Sequence, residues 1–104
     1  MDSNYIRVAA VHEVPRRGGK KIYLNGKKIA LFRYDDQIYA LQNHCPHQGA
    51  DLAEGYVHDG KIHCMLHDWS FDVKTGSYSF NELLRLKTYT VKVENDSVFI
   101  EWKE

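Results

Sequence analysis

Residues 43–76 read NHCPHQGADLAEGYVHDGKIHCMLHDWSFDVKTG, and two Cys-His pairs inside that stretch decide how the whole chain is read. One residue separates Cys45 from His47, two separate Cys64 from His67, and sixteen lie between the pairs. Each half therefore offers one thiolate and one imidazole from a short run of backbone. Two such loops facing each other send a sulfur apiece to an inner iron and a nitrogen apiece to an outer iron. That is the ligand set of a [2Fe–2S] cluster with two Cys on one iron and two His on the other. Small or turn-prone residues (Pro46, Gly49, Ala50) sit where such loops need them. Cys₂His₂ is also a zinc set, but zinc modules usually pair Cys with Cys and His with His, whereas each loop here mixes the two. A Cys45–Cys64 disulfide is a third reading, which leaves two His at ligand spacing without a role.

The same stretch resembles the Rieske ferredoxin family. The resemblance is carried by the Cys-x-His and Cys-x-x-His pairs, Gln48-Gly49-Ala50, Trp69, Phe71-Asp72 and Thr75-Gly76. It implies one [2Fe–2S] cluster held by Cys45, His47, Cys64 and His67, with the imidazole edges of His47 and His67 as the electron exit and no catalytic residue. It also implies an all-β Rieske-type fold, an antiparallel β-sandwich or partly open barrel with an inserted cluster-binding subdomain. Residues 1–104 form one domain in that reading. The subdomain spans about 43–79, and the basal β region spans 1–42 and 80–104.

High-potential members of the family carry an extra Cys in each loop, plus a Ser and a Tyr whose hydroxyls donate to cluster sulfurs. On alignment these positions are Ala50, Leu66, Trp69 and Phe71 here. Hydrogen bonds to the sulfurs stabilise the added electron, so their loss lowers the potential. The expected midpoint is about −150 mV rather than +300 mV. Three departures from the usual pattern stand out. Asp51 replaces a common Pro, Asp68 replaces a common Gly after the second His, and residues 77–82 lack the proline often found in the loop that shields the cluster. An ionised Asp68 opposes the negative charge gained on reduction.

Size and composition narrow the function further. A chain of 104 residues holds one modest core and leaves no room for the substrate-oxidising half of an oxygenase. Zero formal charge argues against general nucleic-acid binding. The sequence has no apolar run of membrane-spanning length and no signal-peptide pattern at Met1-Asp2-Ser3-Asn4. With both Cys assigned to metal, a reducing cytoplasm is the expected compartment. The charge is uneven: residues 15–28 carry six basic and no acidic side chains, while 51–82 carry six acidic against two lysines. Such runs are solvated loops, or an acidic end that steers a basic partner surface into contact.

The expected function is a soluble, low-potential carrier of one electron, monomeric when free, between a flavin-dependent reductase and a terminal oxygenase. An alternative is the small subunit of an assimilatory NAD(P)H nitrite reductase, docked on its large subunit; His67-Asp68-Trp69 resembles some of those subunits. A zinc-binding interaction module is the alternative from another class. His12, His44, His58 and His63 are expected on the surface or in hydrogen bonds, and Trp69 either packs in the core or rims the exit with Leu66.

Turn signals predict the strands. Asn25-Gly26, Asp35-Asp36, Asp59-Gly60 and Asn95-Asp96 each separate apolar or alternating runs, and both central residues of such pairs tolerate positive φ. Tyr89, Val91 and Val93 are expected on one buried face, opposite Val98, Ile100 and Trp102, by period-two alternation. A helical turn is expected near Val11–Val14.

Overall fold

Paired Asx and Gly residues set the strand register. The computed structural model describes residues 4–45, 50–64 and 69–102. Its strands are β1 (Asn4–Ala10), β2 (Gly19–Leu24), β3 (Lys27–Tyr34), β4 (Gln37–Gln42), β5 (Tyr56–His58), β6 (Lys61–His63), β7 (Ser70–Asp72), β8 (Ser77–Tyr78), β9 (Asn81–Arg85), β10 (Thr88–Tyr89), β11 (Val91–Glu94) and β12 (Ser97–Trp102). The four predicted turns join β2 to β3, β3 to β4, β5 to β6 and β11 to β12. All eight central residues have φ between 49° and 81°. That left-handed geometry matches the twist of the flanking strands and suits Asn, Asp and Gly. The expected turn near Val11 is a 3-10 turn over Val11–Glu13.

Three open antiparallel sheets result, ordered β1-β12-β11, β10-β4-β3-β2 and β5-β6-β7-β8-β9. The fold is all-β and none of these sheets closes into a barrel, as the sequence led one to expect. Within the middle sheet, residues 29–32 of β3 are buried on both faces. Along β3, Ile29 and Leu31 enter one core with Ile22, Leu24, Ile38, Ala40, Val98 and Ile100. Ala30 and Phe32, between and beside them, enter a second core with Leu41, Leu52, Ile62, Phe71, Val73 and Leu86. Successive side chains of a strand point to opposite faces, so the apolar middle of one strand feeds two layers.

One expectation is corrected. Residues 89–94 do not form a single strand. Thr88 and Tyr89 pair with Leu41 and Ala40 of the middle sheet, whereas Val91–Glu94 pair with β12. The switch falls at Thr90, whose carbonyl accepts the Glu101 N–H at 2.9 Å. Tyr89, Val91 and Trp102 pack on the first core as expected, and Val98 and Ile100 are fully buried. Val93 is half exposed instead, because β11 is an edge strand with a neighbour on one side alone.

The shared layer yields a stability prediction. Phe32 is fully buried in the second core, so Phe32→Ala is expected to cost about 3–5 kcal/mol in urea unfolding. A loss under about 1 kcal/mol would show that the layer tolerates the cavity.

Candidate metal centre

The two cysteines occupy equivalent positions. Cys45 lies three residues past the end of β4, and Cys64 directly follows β6. Both thiols belong to the second core, are 1 % and 3 % exposed, and are not joined in a disulfide. The Cys45 N–H donates to the Ala50 carbonyl at 2.9 Å, and the Cys64 N–H donates to the Trp69 carbonyl at 2.8 Å. Each loop thus starts at a buried Cys and is closed by the same bond to the fifth residue onward. The sequence puts His47 inside the first loop and His67 inside the second. His47 and His67 themselves lie outside the described residues, as do Leu66, Asp68 and Gly49.

Asn43 holds the first loop at its base. It is fully buried. Its N–H donates to Lys28 O at 3.1 Å and its carbonyl accepts from Leu52 N at 2.7 Å. Its side-chain Oδ1 accepts the Ala53 N–H at 2.9 Å. One residue therefore ties β3 to the 3-10 turn Leu52–Glu54 on the far side of the loop. Gln42 adds a second tie: its Nε2 donates to His44 O at 2.8 Å and its Oε1 accepts from Lys87 N at 2.8 Å.

The arms of the two loops meet at Gly55. A Cβ there would strike the His63 carbonyl, one residue before Cys64. The sequence reading singled out neither Asn43 nor Gly55. An Asn two residues before a ligand Cys is a recognisable local signal, since Asn side chains bond nearby backbone. Gly55 carried no such signal, because its constraint comes from a neighbouring strand.

Electrostatics join the two charge runs. Lys21 Nζ donates to Asp51 Oδ2 at 2.9 Å. That hydrogen bond holds the Asp51 carboxyl below its usual range and pushes the Lys21 ammonium up. Asp51, which departs from the common Pro, is therefore offset by a cation from the basic stretch.

The second loop leads into an aromatic wall. The Trp69 ring stacks on Tyr78 at 4.3 Å, and Tyr78 contacts Phe71 at 5.6 Å. Trp69 is partly buried against the second core, so it packs while keeping an accessible edge. Residues 77–82, which lack the usual proline, form most of the β8–β9 hairpin. Its turn is pinned by a Ser70 Oγ–Ser79 Oγ hydrogen bond of 2.6 Å and by Ser79 N–H to Ser70 O at 3.0 Å.

The other histidines have surroundings of their own. His63 stacks on Tyr56 at 4.9 Å, His58 lies 3.3 Å from the Asp59 carboxylate, and His12 and His44 are exposed.

The donors fit a mixed-ligand iron–sulfur cluster. The chain has two Cys, which excludes a cluster ligated by four thiolates. Both sulfurs are buried at the origins of matching loops, as donors to an inner iron must be. Neither Trp69 nor Phe71 carries a hydroxyl.

The chain belongs to the Rieske [2Fe-2S] domain family, whose model matches residues 4–90, and it carries the family's cluster. Among individual proteins, it is 36% identical to the ferredoxin component of the naphthalene 1,2-dioxygenase/salicylate 5-hydroxylase systems of Ralstonia sp., over 97% of this chain and 98% of that protein. The solved structure of Sphingomonas yanoikuyae B1 ferredoxin matches with a TM-score of 0.87 and 29% identity, over 96% of this chain and 100% of that one. A complex of reduced oxygenase and oxidised ferredoxin in carbazole 1,9a-dioxygenase matches at 0.82 and 27%, over 93% and 92%. An NADH-dependent nitrite reductase small subunit from Mycobacterium tuberculosis shares the fold, with a TM-score of 0.89 at 20% identity over 100% of this chain and 99% of that one.

Two predictions follow from the loop supports. Asn43→Ala leaves the part-buried Ala53 N–H without its acceptor and is expected to cost about 1–3 kcal/mol in denaturant unfolding; Asn43→Ser, which restores an acceptor, should recover part of it. Asp51 has a lowered carboxyl pKa in the folded state, so its pairing stabilises above the ordinary carboxylate range and is lost as pH falls through the folded value. The thermal midpoint should therefore drop more steeply below about pH 4 in wild type than in Asp51→Asn. Parallel acid limbs would remove the pair from the account.

Proposed function

We propose that this chain is a soluble, low-potential carrier of one electron from a flavin-dependent reductase to a terminal oxygenase. The observation that carries the reading is the pair of buried thiols at the origins of two matching loops, in a chain of the Rieske family. When bound, the cluster accepts and returns a single electron. Cys45 and Cys64 hold it from the core side, and His47 and His67 hold it from the outer side, where their imidazole edges form the electron exit. The bonds that close the loops and the tie at Asn43 hold the two sulfur donors from the protein side. Similarity to a dioxygenase-system ferredoxin over nearly its full length favours the oxygenase as acceptor.

In this reading residues 1–104 are one domain. Residues about 43–79 make the cluster-binding subdomain, and 1–42 with 80–104 make the basal β region. No helix among the described residues is long and apolar enough to cross a membrane. The reading places the protein in the cytoplasm as a monomer between encounters. A nitrite reductase small subunit remains the alternative, since the same fold occurs there. Partner choice lies in surface residues rather than in the ligand loops.

Redox titration of the purified protein is expected to give a midpoint near −150 mV, with a reduced-state paramagnetic signal of mixed nitrogen and sulfur ligation. A midpoint above about +100 mV would sink the low-potential reading. A colourless protein with stoichiometric zinc would sink the cluster. Cys45→Ser and Cys64→Ser should each lose the visible absorption and lower the melting temperature, because metal binding is linked to folding. Electron delivery to a sirohaem subunit, and not to an oxygenase, would select the alternative.

A further inference from the structure

One polar atom is left over at the origin of the first ligand loop. Asn43 is fully buried. Its backbone N–H and carbonyl are engaged by Lys28 and Leu52, and its Oδ1 accepts the Ala53 N–H at 2.9 Å. Its Nδ2 has no hydrogen-bond partner. The Ala53 bond fixes the orientation of the amide, because Oδ1 alone can accept from an N–H. An unpaired donor in a protein interior is costly, and native structures rarely keep one without a use.

The short ladder at this point shows which side the amide lies on. His44 bridges Asp51 in antiparallel fashion, flanked by Leu52 N–H to Asn43 O and by Cys45 N–H to Ala50 O. Side chains alternate along such a ladder. His44 is exposed, while Asn43 and Cys45 on either side of it are buried. Asn43 thus shares a face with Cys45 and with Leu52 opposite, both members of the second core. Among the described buried side chains of that core, only Cys45 and Cys64 carry an atom other than carbon and hydrogen. One further acceptor stands near. The Asp51 carboxyl is held below its usual range by Lys21 first and by the Asn43 side chain last, and its Oδ2 is already engaged by Lys21 Nζ at 2.9 Å. A primary amide has two N–H groups, so one directed to Asp51 leaves the second for the core face.

We infer that Asn43 Nδ2 donates a hydrogen bond to the Cys45 sulfur of the bound cluster and so raises its reduction potential. The inference rests on the cluster that the family carries, and it adds a tuning residue outside the ligand set. Sulfur bound to iron gains negative charge when the cluster is reduced, so a donor there favours the reduced form. Trp69 and Phe71 have no hydroxyl to give. The amide of Asn43 supplies a side-chain donor from beside the first loop instead. The residue that ties β3 to the turn Leu52–Glu54 therefore also sets how readily the centre accepts an electron.

The test uses the cluster-loaded protein with ¹⁵N placed only in the side-chain amide of asparagine. Pulsed paramagnetic resonance of the dithionite-reduced wild type is expected to show a weak ¹⁵N coupling. The coupling should vanish in Asn43→Ser, which retains the exposed Asn4, Asn25, Asn81 and Asn95. Asn43→Ser is uncharged and keeps an acceptor for Ala53, but it is one atom shorter than the amide. Its equilibrium constant for reduction should fall about tenfold, a midpoint lower by about 59 mV in a one-electron couple. Asn43→Asp keeps the shape and Oδ1, loses both N–H groups, and should fall at least as far. A purely structural Asn43 would lower the melting temperature of both variants and give no coupling in wild type. Absence of that coupling overturns the donor and leaves the cluster in place, as does an Asn43→Ser midpoint equal to wild type. A reduced protein with no iron–sulfur signal overturns the cluster and the donor with it.

Discussion

The middle of β3, residues 29–32, has no face in water, and the rest of the molecule is arranged around that constraint. Ile29 and Leu31 fill one core and Ala30 and Phe32 the other, so neither outer sheet can be removed without exposing half of the strand. Burial of this kind contributes about 25 cal/mol per Å² of apolar surface withdrawn from water. A chain of 104 residues has few places to gather that much. Sharing one strand between two layers lets a small chain keep two cores. The second core also receives Cys45 and Cys64, so the packing that stabilises the fold is the packing that shields the sulfur donors.

The link from β3 to the metal centre runs through Asn43. Its N–H is spent on Lys28 at the start of β3, and its carbonyl and Oδ1 on the 3-10 turn beyond the first loop. Both ends of that loop are therefore referred to the central strand. The second loop is referred to the first by contact at Gly55, where backbone approaches backbone too closely for any side chain. Two loops distant in sequence are thereby set against one another by a buried amide and a missing Cβ. Neither group is among the candidate ligands, yet both fix the backbone beside Cys45 and Cys64.

What could be read from the sequence, and what could not, follows from the range of the forces involved. The Cys-His pairs and their spacing are local, and so was the family resemblance they carried. The four Asx turns are local as well, since the left-handed conformation of a few residues decides each hairpin. The break at Thr90 was not legible, because Tyr89 and Val91 keep the alternation of one strand while pairing with different sheets. The exposure of Val93 was hidden for the same reason: alternation names a face, and the position of a strand in its sheet decides whether that face is covered. Gly55 depends on His63, and Asp51 on Lys21, thirty residues away. No short-range pattern announces such partners.

The departures from the usual family pattern gain a common meaning from these contacts. Asp51 takes the place of a stiff proline, and its ion pair with Lys21 ties the chain after the first loop to the edge strand β2. A covalent restraint on φ is replaced there by an electrostatic one, which unlike proline weakens in acid and in salt. In residues 77–82 the missing proline is replaced by a hydroxyl pair and a stack of rings. That substitution has a different consequence. With its turn bonded at Ser79 and its strand stacked at Tyr78, the hairpin leaves Phe80 and Leu83 in solvent. Fixed packing beside the second loop and apolar exposure a few residues away are then two results of one choice of residues.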